Sequence, residues 1–321
     1  MSKGRIPGEP PLVSVVVTTY NRAGMLKETV SSILSQTCQG FELIIVDNMS
    51  TDGTEEYVRS IADGRLGYLR NANNGIIAVN RNAGIGRARG KYVAFCDDDD
   101  LWLPDKLKLQ TSFMEANPAV GLCFGFAEDF GQTPSAGQLR FPADECMNTR
   151  GYDDLLSGNR IATLTVMVTK ACLDDTGLFD EDPALRTVED YDLWLRIARR
   201  FRIACIPEKL GRYRIHARSA SSDEAAEKKK LFHVLEKFKK NGWLNEAQAR
   251  GMEANVNWMV GNALIAVGDP SYREWHMRSF AIEKRAKTVL AALLCVPPTS
   301  IARRIFRFLK KRKDRGKLAK G

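Results

Sequence analysis

The sequence predicts an α/β fold on a mostly parallel sheet, and three features predict it. Short valine- and aromatic-rich runs alternate with segments of helical spacing from Leu12 to Ala116, the pattern that βαβ units leave. The first runs end on polar or acidic residues, where open parallel sheets hold their ligands. The composition, 44% hydrophobic and 27% charged over 321 residues, is that of a soluble globular chain with room for one large core or two modest ones.

Taken in order, Leu12–Thr18 is a valine-rich run and reads as a buried strand. Met25–Leu34 places Met25, Leu26, Val30, Ile33 and Leu34 at helical spacing. Phe41–Val46 is a second strand, ending on Asp47, and the turn Asp52-Gly53 opens a helix over Thr54–Ile61. Ser50, Thr51 and Asp52 suit the cap of that helix. Leu66–Leu69 is a short third strand, and Ile76–Arg89 a helix despite its glycines. Tyr92–Cys96 is the fourth strand, and Pro104–Ala116 a helix with proline near its start.

The pattern changes after about residue 127. Gly131–Gly137 reads as a loop, Ala162–Val168 as a strand, and Tyr191–Arg200 as a helix with Leu193, Trp194 and Ile197 inward. Arg202–Ile206 and Arg212–Ile215 read as two further strands. From Ser221 the chain is Lys-, Glu- and Ala-rich and helical, which sets a boundary near 220. The expected divisions are a disordered segment 1–11, two halves of one domain at 12–127 and 128–220, and a helical extension at 221–321.

Charge is distributed unevenly. The net charge is +9, and residues 303–321 hold ten Lys/Arg against the single acid Asp314. The tail therefore carries the whole excess, which speaks about the partner of the tail and not about the body. In Ile301–Arg315 the apolar residues fall at 301, 305, 308 and 309 between arginines and lysines, a pattern suited to an interfacial helix on anionic lipid through residues 299–320. No aromatic stacking platform or binding motif accompanies the charge, so a nucleic acid partner is not expected. The N-terminus has no apolar core of a signal peptide. The longest apolar stretch of the tail, Thr288–Val296, stops at Pro297-Pro298, short of the roughly 18–20 residues that span a bilayer. Seven cysteines without a Cys-x-x-Cys pair read as reduced core residues. The expected location is cytoplasmic, peripheral at the inner face of the cell membrane.

Chemistry concentrates at the strand ends. Asp97 to Asp100 follow directly on Tyr92–Cys96. Four adjacent carboxylates repel one another unless a cation or water offsets them. Mg²⁺ takes one or two carboxylates plus substrate phosphates. In an extended strand, residues 97 and 99 share one face and 98 and 100 the other. Thr19, Tyr20 and Asn21 leave the first strand, with Tyr20 able to stack on a base and Thr19 able to donate to phosphate. Asp47 ends the second strand as an acceptor for a pyrimidine N–H, which favours uracil or thymine. Asn74, Arg81 and Asn82 add polar groups, and the guanidinium of Arg81 matches a phosphate. Glu189 and Asp190 open a helix and can project into a cleft. His216 ends Arg212-Tyr-Arg-Ile-His216.

These segments together resemble the family 2 glycosyltransferases over residues 12–220. The likeness lies in Val15-Val-Val-Thr-Thr-Tyr-Asn-Arg22, Val46-Asp-Asn-Met-Ser-Thr-Asp-Gly-Thr54, Asn74-Gly75, Arg81-Asn-Ala-Gly84, Arg89-Gly-Lys-Tyr92, Asp97–Asp100 with Leu101-Trp-Leu-Pro104, and Glu189-Asp-Tyr-Asp-Leu-Trp194. The resemblance implies a GT-A fold and an inverting transfer from a nucleotide-diphosphate sugar to a glycan or lipid-linked acceptor. It implies that Thr19, Tyr20, Asn21 and Arg22 hold the nucleotide with Asp47, Asn74, Arg81 and Asp98. It further implies a divalent cation, Mn²⁺ or Mg²⁺, on the Asp-x-Asp motif. Two registers fit that motif; Asp99 is favoured as ligand, Asp97 is a second candidate, and Asp98 faces the ribose or sugar. His216 is expected near the metal or diphosphate, with Arg218 and Ser219 on a loop beside it. Asp190 is expected as general base, with Glu189 its neighbour or alternate. The residues after the first strand are Thr-Tyr-Asn-Arg and not Gly-x-Gly-x-x-Gly, and no P-loop occurs, which disfavours a dinucleotide oxidoreductase. A sugar nucleotidyltransferase would carry a glycine-rich loop with a basic residue there. A membrane-associated protein that binds nucleotide sugars without turning them over is the alternative on the same fold.

Overall fold

The computed structural model describes residues 10–216 and 223–318. Most of the expected segment 1–11, Arg218, Ser219 and residues 319–321 lie outside them. The chain forms two compact units, one of Met1–Leu155 with Asn159–Ser219 and one of Leu156–Gly158 with Ala220–Gly321.

The first unit opens with β1 (Val13–Thr19), α1 (Ala23–Leu34), β2 (Phe41–Asp47), α2 (Thr54–Ser60), β3 (Leu66–Arg70), α3 (Ile77–Arg87) and β4 (Tyr92–Asp97). β3, β2, β1 and β4 pair in that order, all parallel. Every residue of β1 and β2 is buried, as an interior parallel strand requires. α1 buries Leu26, Thr29, Val30 and Ile33, a stripe at 3–4 residue spacing. α3 tolerates its glycines because one of them is a contact. A Cβ on Gly84 would meet Val16 Cγ1 at 2.4 Å, so the helix lies against β1 only with glycine there.

The sheet then becomes mixed. β5 (Leu101–Trp102), α4 (Lys106–Ala116), β6 (Val120–Gly131), α5 (Ala143–Met147) and α6 (Tyr152–Leu156) lead to β7 (Met167–Thr169), α7 (Lys170–Thr176), α8 (Glu189–Ala198) and β8 (Arg202–Ile215). The eight-stranded order is β3-β2-β1-β4-β7-β6-β8-β5, with β7 antiparallel to both neighbours. Two expectations change here. Ala162–Val168 is a 3-10 turn at Thr163–Thr165 before the short β7, because Thr165 N and Val166 N bond back to Ala162 and Thr163. The two strands expected at 202–206 and 212–215 are one strand, β8, irregular where it pairs with Phe124–Ala127 of β6. The twelve-residue β6 was not anticipated.

The second unit is helical: α9 (Glu224–Lys240), α10 (Glu246–Val267), α11 (Tyr272–Ile282), α12 (Ala286–Leu293) and α13 (Thr299–Leu318). α10 starts on a capping box between Asn245 and Gln248 and ends on Gly268 in the left-handed region. Leu231, Val234, Leu235 and Phe238 of α9 and Val256, Val260 and Leu264 of α10 are buried in its core.

Candidate active site

Three parallel strands end level with one another. β1 pairs with β2 through Thr19↔Asp47 and with β4 through Thr18↔Asp97. The carboxyl ends thus form one rim, the place where open α/β sheets bind ligands. A groove of about 430 Å³ opens there, lined by Tyr20, Asn48, Met49, Asn74, Gly75 and Arg186 among others. Tyr20 is 54% exposed, so its ring face is open to a base. The non-glycine residues with positive φ among the described ones are Asn21 (50°), Met49 (58°), Asn74 (49°) and Thr187 (76°). Met49 and Asn74 line the groove, Asn21 follows Tyr20, and Thr187 follows Arg186. Backbone strain of this kind persists where the surroundings over-determine it, and it clusters at ligand sites.

The four aspartates do not alternate as an extended strand would. Asp97 is the last residue of β4, and Asp100 N donates back to Asp97 O at 3.2 Å. This turn sends the carboxylates to different partners, so the shared face expected for 97 and 99 is not formed. Asp97, the second candidate metal ligand, bonds Arg81 Nη2 at 2.9 Å. Asp98 is 3% exposed and accepts from Thr19 Oγ1 (2.8 Å), Tyr20 N (3.3 Å) and Arg22 Nη1 (2.9 Å). Burial pushes its carboxyl up to about 6, against the pull of Arg22. Asp99 Oδ2 lies 2.9 Å from Arg22 Nη1 and 2.9 Å from His216 Nε2. Asp100 is buried and accepts from the backbone N of Arg214 at 2.8 Å, so it holds β8.

Arg81 is corrected in the same way. Its guanidinium is buried and already committed, Nη1 to Glu189 at 2.6 Å and Nη2 to Asp97 at 2.9 Å, over the ring of Phe179. Its fork is thus spent on two carboxylates in this structure. It ties the end of β4 to the start of α8 instead. Behind that start, Leu193, Trp194 and Ile197 are fully buried, with Trp194 against Phe95 and Phe179. The apolar side of α8 thereby fixes where its first turn points.

Glu189 Oε1 accepts from Arg81 Nη1, and its buried Oε2 has no hydrogen-bond partner. Asp190 Oδ2 accepts from Thr163 Oγ1 (3.0 Å) and Asn159 Nδ2 (3.4 Å), and Oδ1 from Tyr191 N (2.6 Å). Burial, with the charge of Glu189 beside it, raises the Asp190 carboxyl to about 7 against the opposing pull of Arg81 and Thr163. A carboxylate held near neutrality has the proton affinity a general base needs.

Asp47 departs from expectation. It is fully buried, with Oδ1 accepting from Ser50 N and Oγ and Oδ2 from Tyr68 OH. Its oxygens are occupied within the protein, so it braces the loop after β2, and Asn48 and Met49 line the groove in its stead. Asn21 also braces that loop, accepting from Thr51 N at 2.8 Å. Asp52 Oδ1 accepts from Thr54 N at 3.0 Å, but the N-cap of α2 is Gly53 and makes no side-chain cap bond, so the cap expected of Ser50, Thr51 and Asp52 is not formed. Sequence reasoning missed Asn48, Met49, Arg186, Asn159 and Thr163. The strand-end rule that picked Asp47 also covers Asn48 and Met49. Arg186, Asn159 and Thr163 meet the site only through long-range packing and leave no local signal.

The donor set suits a hard or borderline divalent cation. Asp99 and His216 bring one carboxylate and one imidazole together, both mostly buried yet open at the rim. Among the described residues no group of three His, Cys, Asp or Glu is gathered that could hold a metal by itself. Mg²⁺ is held by one or two carboxylates plus substrate phosphates, so Asp99, which also accepts from Arg22, would hold Mg²⁺ or Mn²⁺ with the diphosphate, and His216 beside it would suit Mn²⁺ better.

Known proteins match this chain in both sequence and structure. The model of the glycosyl transferase family 2 matches residues 14–172. The chain is 34% identical over 236 residues to the putative teichuronic acid biosynthesis glycosyltransferase TuaG of Bacillus subtilis, covering 72% of this chain and 89% of that one. It is 31% identical over 232 residues to WfgD of Escherichia coli, a UDP-Glc:alpha-D-GlcNAc-diphosphoundecaprenol beta-1,3-glucosyltransferase, covering 72% and 87%. Among solved structures it resembles the mannosyltransferase PcManGT of Pyrobaculum calidifontis in complex with GDP-Man and Mn²⁺. The TM-score is 0.63 at 19% identity, over 94% of this chain and 86% of that one. The sheet and its flanking helices are those of the GT-A glycosyltransferases. The chain belongs to glycosyl transferase family 2 and is an enzyme of that family.

Proposed function

We propose that this enzyme is a metal-dependent, inverting glycosyltransferase that moves a sugar from a nucleotide-diphosphate donor to a hydroxyl of a glycan or lipid-linked acceptor in cell-envelope polysaccharide synthesis. The observation that carries the reading is the place of Asp190 in the first turn of α8, held by Thr163 and Asn159 and one residue from Glu189, which Arg81 joins to the aspartate run. Base and leaving-group site are thereby tied through one guanidinium. The UDP-Glc donor and diphosphoundecaprenol acceptor in the name of WfgD favour a UDP donor, with dTDP second, and a lipid-linked acceptor. The donor half is residues 12–127, and residues 128–220 supply the acceptor half.

In this reading Tyr20 stacks on the base, Asn74 and the groove beside it take the nucleoside, and Arg22, Asp98 and Thr19 keep the rim in shape. Asp99 and His216 hold the cation, which when bound offsets charge on the diphosphate leaving group. Asp190 takes the proton of the acceptor hydroxyl. The oxygen attacks the anomeric carbon opposite the diphosphate, the bond to the diphosphate breaks, and configuration inverts. Residues 299–320 bring the enzyme to the cytoplasmic face of the membrane, where a lipid-linked acceptor lies.

Purified enzyme with UDP-, dTDP- and GDP-sugars and Mn²⁺ or Mg²⁺, read by released nucleoside diphosphate, tests this. Release from one donor, lost on EDTA addition and in Asp99→Ala, is expected. An α-linked product from an α-linked donor refutes inversion. Failure to bind any donor in the presence of metal refutes the assignment of the groove.

A further inference from the structure

The second unit carries an apolar surface that its own core does not use. Of the twelve large apolar side chains exposed among the described residues, seven fall between 289 and 308. On α12 they are Val289, Leu290 and Leu293, with Val296 in the turn that follows; Leu293 is 62% and Val296 82% exposed. On α13 they include Ile301 and Ile305, one turn apart. The opposite sides of the same helices are buried through Ala291, Leu294 and Ala302. That inner side is pinned: Tyr272 Oη donates to Leu294 O (2.9 Å), Arg273 Nη2 to Pro297 O (2.8 Å) and Arg303 Nε to Ala266 O (3.0 Å). The backbone at the end of α12, in the turn after it and at the start of α13 is thereby held, which lowers the ordering cost of docking.

Clustered exposed apolar residues mark an interaction surface, and charge selects its occupant. Arg304 and Arg307 are exposed on α13, within the stretch 303–321 that holds ten basic residues and one acid. A second copy of this chain would bring the same positive charge against it. An anionic lipid surface complements that charge and accepts the apolar side chains. No helix among the described residues is long and apolar enough to cross a membrane, so such contact is at the interface. We infer that α12 and α13 together form a membrane-docking face for anionic phospholipid, Leu293 of α12 and Val296 of the turn after it inserting beside the basic helix α13. This rests on the proposed membrane role of residues 299–320 and enlarges it from a charged tail to a two-helix surface.

The full chain is sedimented with phosphatidylglycerol and with phosphatidylcholine vesicles, alone and as Leu293→Asn/Val296→Asn and Arg304→Glu/Arg307→Glu. Preference for phosphatidylglycerol is expected, with binding weakened roughly tenfold or more in each double variant. Melting temperature and donor hydrolysis in the absence of vesicles should stay as in the parent. If only the arginine variant loses binding, the α12 face is refuted while the charged tail survives. If the parent binds neither vesicle, both fall. A concentration-dependent dimer dissolved by Leu293→Asn/Val296→Asn, without vesicle binding, refutes the lipid and assigns the face to a second copy.

Discussion

At the residue scale, the base role proposed for Asp190 sets catalytic demand against stability. A carboxyl raised to about 7 in the fold, from about 3.9 unfolded, binds more protons folded than unfolded between those values. Its ionisation therefore removes stability as pH rises from about 4 to 7, and that loss persists above 7. Asp190→Asn avoids the ionised form. It should lower kcat by about 10²–10⁴ while raising unfolding free energy at pH 8 by on the order of 2 kcal/mol, read from urea titration of both proteins. Catalysis has the opposite dependence, since the base works deprotonated: kcat should climb through about pH 7 and level off. Removing the adjacent charge with Glu189→Gln should move that limb to lower pH. A limb that stays in place would assign the titration to another group. Asp98 belongs to the same class, with burial holding it at about 6, but it touches Arg22 and the rim and not the base.

At the element scale, the decisive tie is α3 to β4 and α8 through Arg81. Replacing a buried partner of two carboxylates leaves Glu189 and Asp97 uncompensated, which typically costs about 3–5 kcal/mol. Arg81→Met should show that loss in denaturant unfolding, together with a fall in kcat, because the first turn of α8 loses its anchor. Arg81→Lys should recover part of the stability but not the forked geometry. A loss of donor affinity with stability unchanged would return Arg81 to the phosphate. Elements were legible where period and burial agree. β1, β2 and β4 are mostly apolar runs, buried almost throughout, and α1 buries one stripe. β6 was not legible because Gly121 and Gly125 interrupt it, and both sit where a Cβ would strike Phe201 and Leu210. β8 reads as two strands because Pro207-Glu208-Lys209 crosses its irregular pairing with β6. In the site, the residue types were legible and their partners were not. Arg81 meets Glu189 across 108 positions, and Asp47 is closed off by Tyr68 from the next strand.

At the scale of the whole molecule, two compact units in one chain predict unfolding that departs from a single two-state step. The groove, the Asp99–His216 pair and Asp190 all belong to the first unit, so ligand linkage should act on that unit. A ligand that binds only the folded site adds about 2.7 kcal/mol at a hundredfold excess over Kd. For a unit of about 200 residues each kcal/mol moves the midpoint by about 2–4 °C. Calorimetry with UDP and Mn²⁺ should therefore raise one transition by roughly 5–10 °C and leave the transition of α9–α13 where it was. Anionic vesicles should do the reverse, acting on the unit that carries α12 and α13. One common shift of both transitions under UDP and Mn²⁺ would mean that the two units unfold as one body, and separate ligand control of site and surface would be lost with it.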